Sequence, residues 1–184
     1  MARPIWNWQG KHGKDAGGVL SNSREDIRVT SRPIAIIILA AGQGTRMKSS
    51  LHKVLHPIAG RPMLLHLLAT TATLAPERKV VVVGAGRDQV EKAVQGQDVA
   101  IVVQSEQLGT GHAVAQAREA LAGFEGDVLI LYGDVPLVRA ETMQALIGRL
   151  NAEDAPACVV LGFRPDDPGA YGRIIADGSV IDRM

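Results

Sequence analysis

The chain has 184 residues, 46% hydrophobic and 21% charged, with a formal net charge of +1, the composition of a soluble globular domain able to bury a core, one domain being the default count. Its longest apolar run, residues 34–41, is far too short to cross a bilayer, and no apolar signal region followed by a cleavage site opens the chain, so a cytoplasmic protein with no membrane partner is expected. Cys158 is the sole cysteine, which rules out an intrachain disulfide; in the apolar stretch ACVVLGF, with no activating base at a catalytic spacing, it is expected to be a buried core residue.

In chain order, residues 1–33 carry six Lys or Arg against three Asp or Glu, whereas residues 34–184 carry fourteen against sixteen. The basic excess therefore belongs to the N-terminal segment. That segment has no sustained periodicity and meets the first apolar run at Pro33, so it is expected to have no fold of its own. Its bases lie near Trp6 and Trp8, but stacking platforms for nucleic acid need a folded surface and a longer basic stripe, and no nucleic-acid partner is expected.

Five continuous apolar runs follow: IAIIILA from residue 34, KVVVVG at 79–84, VAIVVQ at 99–104, DVLILY at 127–132 and ACVVLGF at 157–163. Runs of this kind read as strands buried on both faces. Helical patterns fall between them near 62–74, 87–95, 111–122 and 139–151. The alternation predicts a three-layer α/β sandwich with a largely parallel sheet, Rossmann-like in architecture. Right-handed crossovers then bring the C-terminal ends of the strands to one edge, where ligands bind. The segment from Leu39 to Gly42, then Gln104, then Tyr132 to Asp134 all fall at such ends.

The first strand runs straight into a glycine-rich loop whose main-chain N–H groups can converge on an anion, with Arg46, Lys48 and Lys53 as mobile positive charge. Gly42 and Gly44 can adopt positive φ and leave no Cβ between backbone and a triphosphate. The spacing is not the GxxxxGK[ST] pattern, because Gly44 is followed by Thr45 and Arg46. A strand-to-helix turn needing two glycines is the bland alternative, and Arg46 and Lys53 could be solvated surface charges. Gly84 and Gly86 after the second strand resemble the start of a dinucleotide fingerprint. Gln89 stands where that fingerprint has a small residue, and Gln104 ends the next strand where it has an acid, so a tight turn is the better reading.

Asp134, between Gly133 and Val135 after a buried strand, is the metal candidate. Mg²⁺ needs only one or two protein carboxylates, phosphate and water completing its shell; a turn in which Asp134 bonds neighbouring amides is the alternative. His52, His56, His66 and His112 form no pair with metal-ligand spacing and a third ligand.

LAAGQGTRM from residue 39, LHKVL from 51, AGRPM from 59, QSEQLGTGHAV at 104–114, LYGDVPL at 131–137 and YGRI at 171–174 together resemble the sugar-phosphate nucleotidyltransferases. Within them the likeness is to the family that joins a UDP-N-acetylglucosamine pyrophosphorylase to a glucosamine-1-phosphate N-acetyltransferase. It covers about residues 34–184 and only the N-terminal part of that family's uridylyltransferase domain. The resemblance implies transfer of uridylyl from UTP to N-acetylglucosamine 1-phosphate, giving UDP-N-acetylglucosamine for peptidoglycan and lipopolysaccharide precursors, with Mg²⁺ as cofactor. It also implies the roles. Leu39, Ala40, Ala41 and Gly42 line the nucleotide; Gln104 and Gly109 read uracil; Thr110, Tyr132, Gly133 and Gly172 surround the sugar nucleotide. Arg46 neutralises the leaving phosphates, Lys53 holds the attacking or α-phosphate, and Asp134 carries the metal.

Departures from that pattern set further expectations. His52 stands where the family more often has proline, which bears on the stiffness of the lysine loop. Translation is expected to start naturally near Val29. No hexapeptide repeat occurs, so the acetyltransferase β-helix is not expected in these residues, and a homotrimer is implied only for a protein that carries it. With the downstream ligands of the family's domain missing, weak or no activity is expected of the chain alone. Two alternatives stay open: a transferase of the molybdopterin guanylyltransferase or hexose-1-phosphate thymidylyltransferase type, against which QLGTGHA argues, and a non-catalytic sugar-nucleotide binding module.

Overall fold

A computed structural model describes residues 32–42, 44, 47–177 and 180–183; the expectations for the N-terminal segment before Arg32 lie outside the described residues. Residues 30–157 make one compact unit, and the chain from Cys158 onward belongs to another.

The first unit is built on a four-stranded parallel sheet. Its strands are β1 (Ile34–Ala40), β4 (Arg78–Val83), β5 (Ala100–Val103) and β6 (Asp127–Tyr132), in the order β5-β4-β1-β6. A separate antiparallel pair, β2 (Pro57–Ile58) and β3 (Arg61–Pro62), lies in the loop after β1. β1 is central and pairs residue for residue with both neighbours, Ile37 lying opposite Val80 on one side and Ile130 on the other. A strand flanked on both edges and covered on both faces must be apolar at every position. Ala35, Ile36, Ile37 and Ile38 are accordingly all buried.

Alternate residues of β1 feed different cores. Ile36, Ile38 and Ala40 face a layer formed by α1 (Met63–Ala72), α2 (Arg87–Ala93) and α4 (Ala140–Leu150). Helix α1 contributes Leu64, Leu67, Leu68 and Thr71, the i, i+3, i+4, i+7 stripe of a helix lying on a sheet. Ile37 and Ala41 face the opposite layer, with Val80, Val82 and, from α3 (Thr110–Ala115) and the turns after it, Ala113 and Ala117. Helices on both faces of a parallel sheet give the expected α/β nucleotidyltransferase architecture.

Four expectations need correction. VAIVVQ is not buried on both faces: Ala100 and Val103 are exposed and Ile101 and Val102 only partly buried, because β5 is a sheet edge. The helix predicted over 111–122 is regular only to Ala115; beyond it, amides of Ala117, Arg118 and Ala122 bond carbonyls three residues back. Arg78 draws off the Ala120 and Ala122 carbonyls through Nη1, at 3.2 and 2.9 Å. DVLILY is buried on one face only: Leu129 and Leu131 enter the core while Val128, Ile130 and Tyr132 are exposed, because β6 is a sheet edge and α3 covers β1 and β4. The run 157–163 forms no strand, and Cys158 is exposed. Apolar composition does not supply a hydrogen-bonding partner, and no described residue pairs with this run.

In the second unit, Phe163 and Tyr171 meet edge to face with ring centroids 5.0 Å apart. Strands β7 (Ile175–Asp177) and β8 (Val180–Arg183) pair antiparallel. No helix among the described residues is long and apolar enough to cross a membrane.

Candidate active site

The parallel register ends β1, β4, β5 and β6 level with one another, Ala40 opposite Val83, Val83 opposite Val103 and Leu39 opposite Tyr132. A cleft of about 310 Å³ opens at this edge. Ten predicted residues line it: Leu39, Ala40, Ala41, Gly42, Lys53, Gln104, Gly109, Thr110, Tyr132 and Asp134. Val54, Gln107 and Ala113 line it as well and were not singled out. Gln107 was findable as the only polar amide of QLGTGHA. What the sequence does not show is that its Nε2 donates to the Ala41 carbonyl, 2.8 Å away and 66 positions earlier.

Lys53 and Asp134 meet across the cleft as an ion pair, Nζ to Oδ2, both side chains about one-third exposed. Lys53 opens a 3-10 turn, Lys53–Leu55, whose Val54 and Leu55 are buried and anchor the loop in the core. Gly44 fixes the lysine stem from the other side. At φ +62° it takes a conformation side chains rarely adopt, and a Cβ there would lie 2.8 Å from Lys53 Cβ. Gly42 has an ordinary φ, so the expectation of positive φ applies to Gly44 alone. A Cβ on Gly42 would meet nothing within 4 Å; its missing side chain keeps the cleft open.

Gly133 lies beneath the cleft. Its amide donates to Leu39 O at 2.9 Å, and a Cβ would come within 3.0 Å of Val54 Cγ1, so a side chain would push the Asp134 turn off β1. Buried Gln104 donates its amide N–H to Val83 O at 2.7 Å and turns Nε2 to Gly109 O at 3.2 Å and His112 Nδ1 at 3.1 Å. It thereby ties the Gly109–Thr110 wall to the sheet. Arg46, with Gln43 and Thr45, lies outside the described residues. Gly172 belongs to the second unit, which is described by itself.

His52, immediately before the lysine, is buried, and neither ring nitrogen has a hydrogen-bond partner among the described residues. Burial holds its imidazole below the ordinary histidine value of 6.5, because desolvation disfavours the charged form. Among the described residues no cluster of three or more His, Cys, Asp or Glu could hold a metal by itself. One carboxylate opening on a cleft still fits Mg²⁺, which takes much of its shell from phosphate and water.

A model of the family described as MobA-like NTP transferase domain matches residues 36–176. The bifunctional protein GlmU of Novosphingobium aromaticivorans is 66% identical over 152 residues, 83% of this chain and 34% of that protein. The chain thus spans about a third of the length of that curated relative. Among solved structures, a Methanothermobacter nucleotidyl transferase (Mth528) aligns with TM-score 0.53 and 25% identity, over 63% of this chain and 57% of that one. Rv0371C of Mycobacterium tuberculosis, in complex with manganese, aligns with TM-score 0.50 and 21% identity, over 63% and 58% of the two chains; at that identity the likeness is one of fold.

Proposed function

Because the chain belongs to the family of MobA-like NTP transferase domains and is homologous to part of GlmU, we propose that its cleft serves uridylyl transfer from UTP to N-acetylglucosamine 1-phosphate, in the cytoplasm, for cell-envelope precursors. The observation that carries the reading is the pairing of Lys53 with Asp134 at the edge where the strand ends converge. A cation and a carboxylate in contact, beside a glycine-opened loop, are the two charges a metal–triphosphate complex needs: Lys53 would pair with phosphate oxygens, and Asp134 would be free to hold a metal.

An oxygen of the sugar phosphate forms a bond to the α-phosphorus of UTP while the bond from that phosphorus to the α–β bridging oxygen breaks, and pyrophosphate leaves with the electron pair. The attacking phosphate is already ionised at neutral pH, so positioning and charge neutralisation matter more than a general base. Lys53 holds the α or attacking phosphate, and Arg46 neutralises the departing phosphates. Bound Mg²⁺ supplies charge neutralisation at the phosphate oxygens, and Asp134 is the residue to hold it. The main chain of Leu39 to Gly42 lies along the nucleotide. Gln104 commits its NH₂ group to Gly109 and His112, which leaves its carbonyl oxygen to accept the N3–H of uracil. Cytosine has a bare acceptor at that position and is disfavoured. Gly109 lies with Gln104 at the uracil, and Thr110, Tyr132 and Gly133 surround the sugar nucleotide.

The test is pyrophosphate release with N-acetylglucosamine 1-phosphate and Mg²⁺ across the four nucleoside triphosphates. Release is expected to be slow, selective for UTP, and about a hundredfold lower in Asp134→Ala. Equal release from all four, or release untouched by Asp134→Ala, would overturn the reading.

A further inference from the structure

We propose that Gln89, outside the cleft, is a positioning residue for Lys53. The inference rests on the nucleotide reading above and adds how the lysine loop is held. Gln89 lies on α2, and its side-chain amide grips the loop at two points. The His52 main-chain N–H donates to Gln89 Oε1 at 3.0 Å, and Gln89 Nε2 donates to Ser50 O at 3.0 Å. One planar amide thus takes one donor and one acceptor from a strip of main chain three residues long, as a neighbouring β-strand would. The grip falls on the residue next to Lys53.

Two further observations show α2 seated on this loop. Gly86, which precedes α2 at φ +78°, lies against the His52 ring, since a Cβ there would stand in ordinary contact 3.4 Å from His52 Cδ2. The ring beneath is buried and makes no hydrogen bond to the described residues. Packing fills the space, and among the described residues the polar restraint on residues 50–52 from α2 is the Gln89 amide. Beyond it, Val54 and Leu55 anchor in the core and Gly44 confines the Lys53 stem. The loop is fixed at both sides of the lysine, and Gln89 is the fixing on the N-terminal side.

His52 has φ −57°, within the range that proline imposes. Proline there would stiffen the loop covalently and remove the N–H that Gln89 accepts. The effect of losing Gln89 should therefore depend on what stands at position 52, which a general packing role of α2 would not.

The experiment compares the wild-type chain with Gln89→Met, Gln89→Glu, His52→Pro and the His52→Pro, Gln89→Met double variant. Hydrogen exchange of the peptide spanning residues 50–55 is read without nucleotide, and Mg·UTP affinity is read separately. Gln89→Met is expected to speed exchange and weaken Mg·UTP by about fivefold, the worth of one ordinary hydrogen bond. Gln89→Glu, which keeps an acceptor for the His52 amide, is expected to retain that amide's protection. In the His52→Pro background Gln89→Met should change either quantity by less than about twofold. Equal losses in both backgrounds, or unchanged exchange in Gln89→Met, overturns the proposal. Should His52→Pro fail to fold, the contrast between Met and Glu at position 89 decides alone. The expected exchange pattern without Mg·UTP binding by any variant would sustain the clamp and refute the nucleotide reading.

Discussion

Lys53 is confined by two neighbours of different kinds, the backbone of Gly44 and the carboxylate of Asp134. Gly44→Ala forces a side chain into positive φ and into the lysine stem at once. It should cost about 1–3 kcal/mol of stability and weaken Mg·UTP by about tenfold, as read by chemical denaturation and titration calorimetry. His52 makes a second prediction. Its folded pKa is held below 6.5 by burial, so the unfolded chain binds the proton first as pH falls. The stability is complete above about pH 6.5 and is lost as the pH drops through that value toward the folded pKa. Unfolding midpoints between pH 7 and 5 should therefore fall more steeply in wild type than in His52→Leu. Gln104 and Asp134 were legible from their types and strand-end positions, and Lys53 from its charge after the glycine-rich loop. The parts played by Gln107 and Gln89 were not, since each rests on a main-chain group that only folding brings within reach.

The strands show how far an apolar run can be trusted. IAIIILA and DVLILY look alike, yet Ile38 is fully buried whereas Ile130 is 43% exposed. Ile38→Ala should cost about 2–5 kcal/mol and Ile130→Ala under about 1 kcal/mol, measured by denaturant unfolding. Runs rich in β-branched residues identify strands, and the period of α1 identifies a helix, because those patterns reflect local geometry. Whether a strand is central or at an edge depends on sheet order, which a run of valines and isoleucines does not encode. ACVVLGF illustrates the same limit: it has the composition of a strand and no partner among the described residues, which leaves Cys158 exposed.

At the scale of the whole molecule, parallel topology brings four separated motifs, at 39–42, 53–54, 104–113 and 132–134, to one cleft. Residues from 39 to 134 reach the same cleft because every strand of the sheet points the same way. That convergence could be anticipated from the alternation of strand and helix. Gly172 was expected there on the strength of motif order, and it lies in a unit described by itself. The chain spans about a third of its GlmU relative, so binding at the cleft is a more direct readout than turnover. The decisive measurement is titration calorimetry of the folded chain with Mg²⁺ and each of UTP, CTP, ATP and GTP, repeated with Asp134→Ala. UTP should bind in preference to the other three, at least about tenfold more weakly in the variant. Binding of all four triphosphates alike, or no loss in Asp134→Ala, would contradict a uridine-nucleotide site built on Lys53 and Asp134.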